Sequence, residues 1–314
     1  MELASVVAGG ERRAACKDQS GVSLMPREFL GNRVEGVDDL LRLYAADGSW
    51  ERVRQAASAE SAGWSHVREG DYRWRPVVER PEKILCIGRN YRAHAEETDD
   101  EVPQEPLIFA KMPNSLAASG DPIPLPARSE QIDYEAELVV VMGRRAHNVP
   151  ERDALEYVAG YTAGNDVSAR DLQFLNGQWL LGKSCDAFAP IGPWLVTPDA
   201  VGDPQSLSIQ LLRDGALAQN ATTRDMVFSC AYLIHYLSTV WTLEPGDLIF
   251  SGTPEGVILG KPAEERRWLR AGDTTEVVIE RVGRLLNTFG PAPRLHEDKE
   301  DKEDGEDGEG SFRS

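Results

Sequence analysis

Cysteine is scarce and scattered in this sequence. Cys16, Cys86, Cys185 and Cys230 form no CxxC pair and have no histidine at zinc-finger spacing, which argues against a structural zinc site. Cys185, in GKSCDAF, offers a thiol nucleophile, but a small buried residue is the stronger reading. Long apolar runs are missing too: no stretch approaches the roughly 18 uninterrupted apolar residues of a membrane span. The N-terminus has no basic start followed by a long apolar core. A cytoplasmic protein without membrane contact is the expectation. Positive charge is also in short supply, with a formal net charge of −18 and seven lysines among 34 basic residues. Nucleic-acid binding through a basic face is therefore disfavoured, because phosphate contacts need a positive surface. The preference for arginine, with the acidic balance, fits a salt-adapted source and a GC-rich genome alike. No Walker loop occurs, and no GxGxxG stands between a strand and a helix.

What is present suffices for one substantial core and a smaller module, since 41% of the 314 residues are hydrophobic. Residues 1–80 alternate short apolar runs with charged and Gly-rich turns around a helical stretch at 37–58, and read as a small N-terminal accessory domain. The character changes at ERPEKILCIGRNY (79–91), where Pro81 precedes a short apolar strand and Gly88 suits a tight turn. From 81 to 290 short strands are separated by Pro and Gly turns, with a strand entering an RDG turn expected at 207–217 and a hairpin at 274–289. The segment 228–241 is the best helix. It is apolar on nearly every face and is expected to be buried, with His235 a core or helix-surface histidine. Strands with isolated helices and no regular βαβ alternation favour an α+β, mostly β architecture over a doubly wound sheet. The tail 291–314 is low-complexity, acidic from 297 onward, and expected to be disordered.

Three carboxylates stand in otherwise apolar sequence: Glu135 and Glu137 in DYEAELVVVMG, and Asp166 in YTAGNDVSARD. A carboxylate facing an apolar interior must be neutralised by a proton, a cation or a metal. Strand side chains two apart share a face, so Glu135 and Glu137 would point the same way, with Val139 and Val141 continuing that face. An edge strand with its glutamates in water is an equal reading of this segment alone. Asp166 follows a second apolar run at the point where a strand gives way to a turn, where site residues often sit, although a helix N-cap or Asx-turn is its ordinary use.

Three further elements offer chemistry. In GRNYRAHAEE (88–97), His94 and Glu97 are neighbours if the segment is helical. A carboxylate on one ring nitrogen would leave the other to take a proton from water. A solvated helix turn explains the spacing as well. Lys183, in QWLLGKSCDAFAPIGPW (178–194), is the single lysine between Lys111 and Lys261 and, if buried, needs an anionic partner. The small residues of GDLIFSGTPEGV (246–257) permit close backbone approach to a ligand, or simply a β-turn.

Taken in order, these elements resemble the fumarylacetoacetate hydrolase superfamily, in particular its roughly 300-residue members close to acylpyruvate hydrolases and 2-hydroxyhepta-2,4-diene-1,7-dioate isomerases. The resemblance runs from about Ile84 to Phe289 through GRNYxxHxxE, the ExE strand, NDVSARDLQ, QWxxGKSxDxFxPxGPW, GDLIFSGTPEGV and a closing GDxxEVxIExxGxLxN hairpin. It implies a mixed β-roll or β-sandwich catalytic domain, a homodimer, and Mg²⁺ or Mn²⁺. By motif position it makes Glu135, Glu137 and Asp166 the metal carboxylates, Lys183 the active-site lysine, and His94 with Glu97 the water-activating dyad on a lid. Arg89, Gln173 and Thr253 fall where family members contact substrate. Hard oxygen ligands suit these ions better than zinc.

The resulting expectation is a metal-dependent hydrolase that cleaves a C–C bond in an acylpyruvate-like β-diketo acid, its substrate a small 2-keto acid. Oxaloacetate decarboxylation or tautomerisation, and isomerisation of a 2-oxo diacid, pass through the same enolate and fit the same residues. A non-catalytic binding protein with the same fold is the alternative from another class.

Overall fold

The computed structural model describes residues 1–18, 21–59 and 63–291. Apart from Pro291, the expected acidic tail lies outside the described residues.

Two adjacent apolar strands organise the fold. Ala136–Met142 and Val158–Asn165 are buried along their whole lengths and pair antiparallel, with Ala136 opposite Asn165 and Val140 opposite Tyr161. Val158–Asn165 pairs onward with Ala189–Val196. On its other side Ala136–Met142 pairs with Leu248–Phe250, which runs parallel to Ile84–Gly88. Because strand side chains alternate faces, this sheet needs cover on both. Leu138, Val140 and Met142 pack with Ile209, Leu211, Val277 and Leu285 of a second, five-stranded sheet. Val139 and Val141 pack the other way, with Phe250, Leu41 and Tyr44. The architecture is α+β and mostly β, as the sequence pattern indicates.

The expected turn at 207–217 and the expected hairpin at 274–289 both form. Ser208–Arg213 turns into Ala216–Thr222 through Asp214 and Gly215, both at positive φ (50° and 77°), the conformation that a tight two-residue hairpin turn requires. Thr274–Ile279 pairs with Gly283–Gly290. The helix Cys230–Val240 is capped by Ser229, whose hydroxyl accepts from Tyr232 N–H (3.0 Å). Only one stripe of it is buried, through Cys230, Leu233, Ile234, Leu237 and Ser238, while Val240 is 61% exposed. The all-round burial expected from its composition is not found: there is a single neighbouring layer for it to pack on. His235 Nδ1 lies 2.7 Å from Val149 O, a structural use of that ring.

Residues 1–80 do not stand apart. Glu2–Ala8 extends the large sheet by pairing with Ala189–Val196, Glu2 opposite Val196 and Leu3 opposite Leu195. The helical stretch divides into Val37–Asp47 and Glu51–Ala59 at Gly48, whose φ of 65° closes the first helix with an N–H bond to Tyr44 O. Between them these residues cover the back of the central strands: Tyr44 Oη donates to Val158 O (3.0 Å) and Trp50 Nε1 donates to Ala159 O (2.6 Å). A segment whose apolar side chains all lie on one face needs that face buried, and here Val139 and Val141 supply the partner surface.

Residues 1–80 are therefore expected to be required for folding. A chain beginning at residue 81 should show no cooperative thermal transition by circular dichroism. In the whole chain, Trp50→Ala should lower stability by about 3–5 kcal/mol in a urea titration.

Candidate metal centre and adjoining cleft

The strand register gathers the acidic trio. Glu135 stands one residue before Ala136–Met142, its N–H donating to Asn165 Oδ1 (2.8 Å), and Asp166 N–H donates to Glu135 O (2.9 Å). Glu137 lies opposite Gly164. Carboxylate oxygens of Glu135, Glu137 and Asp166 consequently come within 4.8 Å of one another, all buried. The trio looks inward on the helix-covered face.

Three cations converge on the same place. Lys183, at the end of the short helix Leu180–Lys183, is fully buried and donates to Glu135 Oε2 (2.7 Å) and Asp166 Oδ2 (2.8 Å). Lys111, just past the strand Leu107–Ala110, donates to the other Asp166 oxygen and to Val167 O (3.1 Å). Arg170 pairs with Glu135 Oε1 (2.6 Å), donates from Nε to Asp133 Oδ2 (3.0 Å), and holds Gln173 Oε1 (3.0 Å). Lys111, Arg170 and Asp133 are not among the residues that the sequence marks as functional. The available signals were a lysine closing an apolar run in FAKMP, and an arginine and an aspartate inside the two motifs already singled out.

Four buried carboxylates thus face three buried cations, and Glu137 is the one left over. It accepts the Gly252 N–H (2.7 Å) and forms no ion pair among the described residues. Burial, then the neighbouring Asp166 and Glu135, push its carboxyl well above the ordinary range. Glu135 goes the other way: burial would raise it, but Lys183 and Arg170 outweigh that and hold it below the usual carboxylate range. Burial would lower Lys183, yet Asp166 and Glu135 raise it, so it stays charged. This donor set fits a hard divalent ion: Glu135, Glu137 and Asp166 would supply the oxygens, and the ion would supply the positive charge Glu137 lacks.

The cleft above the trio is narrow, with a cavity volume of about 40 Å³. Arg89, His94, Glu135, Arg170, Gln173, Lys183 and Thr253 line it, so the expected site residues, apart from the deeper Glu137 and Asp166 and the supporting Glu97, share one wall or another of it. His94 sits on Arg92–Glu97, and its Nδ1 lies 2.8 Å from Glu97 Oε1, so the dyad is formed. Glu97 Oε2 in turn accepts the Gly256 N–H (2.8 Å). Thr253 Oγ1 accepts from Gln219 Nε2 (2.9 Å).

One backbone loop serves three of these carboxylates. After Leu248–Phe250, Gly252 N–H serves Glu137, Gly256 N–H serves Glu97, and Ile258 and Leu259 N–H serve Asp133 (2.8 and 3.0 Å). The glycines are needed for this. Both have positive φ (97° and 103°), and a Cβ would meet Asn90 Cβ at 2.6 Å in one case and Ala218 O at 2.3 Å in the other.

Comparison with known proteins identifies the family of the region that carries these residues. Residues 83–290 match the model of the fumarylacetoacetate (FAA) hydrolase C-terminal domain. The chain is 48% identical over 218 residues to a fumarylacetoacetate hydrolase domain-containing protein 2 homolog of Dictyostelium discoideum, covering 66% of this chain and 71% of that one. It is 46% identical over 213 residues to a mitochondrial oxaloacetate tautomerase of Xenopus laevis, covering 67% and 66%. Among solved structures, an HpcE protein of Mycobacterium smegmatis superposes with a TM-score of 0.81 at 34% identity, covering 93% of this chain and all of that one. Maleylpyruvate hydrolase from Sphingobium superposes at 0.76 with 28% identity, again covering 93% and 100%.

A carboxyl titrating above its unfolded value stabilises the fold fully at low pH and loses that contribution as pH rises toward the folded value. In metal-free protein, Glu137→Gln should therefore melt at or above the wild type near pH 8, with the gap closing toward about pH 5. Added Mg²⁺ or Mn²⁺ should raise the wild-type melting temperature in proportion to the logarithm of its concentration, and should do so far less in the variant. Differential scanning fluorimetry across pH checks both.

Proposed function

This chain belongs to the fumarylacetoacetate hydrolase family, and on that premise we propose that it is a divalent-metal-dependent hydrolase cleaving a C–C bond in an acylpyruvate-like β-diketo acid. The observation that carries the proposal is the assembled dyad. Glu97 is fixed from two directions, by Gly256 N–H and by His94 Nδ1, so the ring donates from Nδ1 and presents Nε2 as an acceptor over the cleft.

A Mg²⁺ or Mn²⁺ ion held by Glu135, Glu137 and Asp166 would supply Lewis-acid stabilisation of the enolate that C–C cleavage leaves behind. The remaining work falls to side chains. Lys183 and Arg170, kept cationic by buried partners, line the inner end where the carboxylate and keto oxygen of a 2-keto acid would lie. Gln173 and Thr253 present further polar atoms there. His94 takes a proton from water at Nε2 as the water attacks the distal carbonyl, Glu97 stabilises the imidazolium that forms, and once the C–C bond has broken the imidazolium returns that proton to the enolate carbon. Phe109, Phe174 and Trp179 line the outer wall and limit solvent entry.

Oxaloacetate keto–enol tautomerisation is the second reading, favoured by the name of the Xenopus laevis relative at 46% identity. It uses the same enolate but needs no attacking water, only transfer of a proton between the enol oxygen and the neighbouring carbon, with His94 Nε2 holding the proton in between. A non-catalytic binder would need none of this machinery.

His94→Ala should reduce acylpyruvate hydrolysis by about 10²–10⁴-fold while leaving metal-dependent stabilisation intact. Turnover of acetylpyruvate, fumarylpyruvate and oxaloacetate, followed in parallel on the purified protein, separates the readings. Exclusive action on oxaloacetate replaces hydrolysis with tautomerisation, and no turnover at any metal concentration leaves only the binder.

A further inference from the structure

A glutamate at the end of a short helix ordinarily moves among several staggered rotamers, because water satisfies its oxygens in all of them. Glu97 is confined instead. It closes the six-residue helix Arg92–Glu97, its side chain is 18% exposed, and both oxygens are engaged: Oε1 with His94 Nδ1 and Oε2 with Gly256 N–H, each at 2.8 Å. What bounds it on the remaining side is a residue without a side chain. A Cβ built on Gly260 would lie 2.5 Å from Glu97 Cδ and 2.5 Å from Oε2, far closer than non-bonded atoms approach, so the carboxylate rests on bare backbone.

Nothing else calls for glycine at this position. Gly260 is not at positive φ, and the three atoms nearest its added Cβ all belong to Glu97. The obstacle is the mobile end of a side chain, so alanine here would move Glu97 and spare the fold. The backbone that receives Glu97 is itself held from one stretch of chain. Tyr134 Oη donates to Gly256 O (3.1 Å), and Asp133 accepts from Ile258 and Leu259 N–H (2.8 and 3.0 Å). The next residue is Glu135 of the acidic trio, so residues 133–135 set the seat of Glu97 and one carboxylate of the metal centre together.

We propose that Gly260 is a positioning residue for the dyad: the space it leaves seats Glu97 on the Nδ1 side of His94, and thereby decides which ring nitrogen carries the proton. The inference rests on the dyad reading above and extends it to a residue outside the cleft lining. With Glu97 displaced, the neutral ring is free to carry its proton on Nε2, where it can no longer accept one from water.

The test is a double-mutant cycle of Gly260→Ala, Glu97→Ala and the two combined. It is read by steady-state turnover and by the tautomer of His94 in long-range ¹H–¹⁵N NMR spectra, the His94 signals being those lost in His94→Ala. Wild type should show the Nδ1–H tautomer. Gly260→Ala should melt within about 2 °C of wild type and keep the Mg²⁺-dependent rise in melting temperature. Its kcat should nevertheless fall by about tenfold or more, with KM within about twofold, and its His94 should shift toward Nε2–H. Added to Glu97→Ala, the same substitution should change neither rate nor spectrum, since alanine at 97 leaves nothing to displace. Rate losses that add in the double variant overturn the proposal, as does an unchanged tautomer in Gly260→Ala. Should Gly260→Ala fail to fold, recovery of the fold in the double variant supports the contact with Glu97, and failure there too marks position 260 as structural and overturns the proposal. An Nε2–H tautomer in wild type, or full activity of Glu97→Ala, removes the dyad reading itself, and this one with it.

Discussion

Charge balance inside a dry interior is the constraint on which this structure turns. Four carboxylates and three cations share a volume with almost no water to screen them, and an unpaired charge there is among the most destabilising features a fold can carry. Each cation answers to acids from more than one segment: Arg170 joins Asp133 to Glu135, and Lys183 joins Glu135 to Asp166. The uncompensated acid, Glu137, leaves the cluster with one negative charge in excess, which a divalent ion would offset.

The rest of the architecture keeps this cluster in register. The central strands fix the spacing of Glu135, Glu137 and Asp166, and they can be apolar on both faces because the second sheet covers one and the N-terminal helices cover the other. The N-terminal residues therefore contribute to the site without touching it: they keep solvent from the face on which the acidic trio lies.

Much of this was legible in the sequence, and for identifiable reasons. Alternation in the ELVVVM run placed Glu137, Val139 and Val141 on one face, and the structure puts all three there. The spacing of His94 and Glu97 foretold their contact because a single helical turn settles it. Legibility failed where partners are distant. Nothing local marks Lys111 as the ligand of an aspartate 55 residues away, and nothing in residues 1–80 reveals that their apolar stripe belongs to strands 100 residues further on. Burial of the 228–241 helix was overestimated because composition counts apolar side chains and not the layers available to receive them.

The backbone loop from Gly252 to Leu259 has a consequence for how such a protein can change. Its amide groups, not its side chains, fasten the innermost acid, the lid and the aspartate beneath the arginine. Amides are indifferent to the identity of the residue that bears them, provided the chain keeps its path and its two glycines. New specificities can thus arise by exchanging lid and rim side chains one at a time, whereas insertion or deletion of a single residue in this loop would unseat all three attachments together.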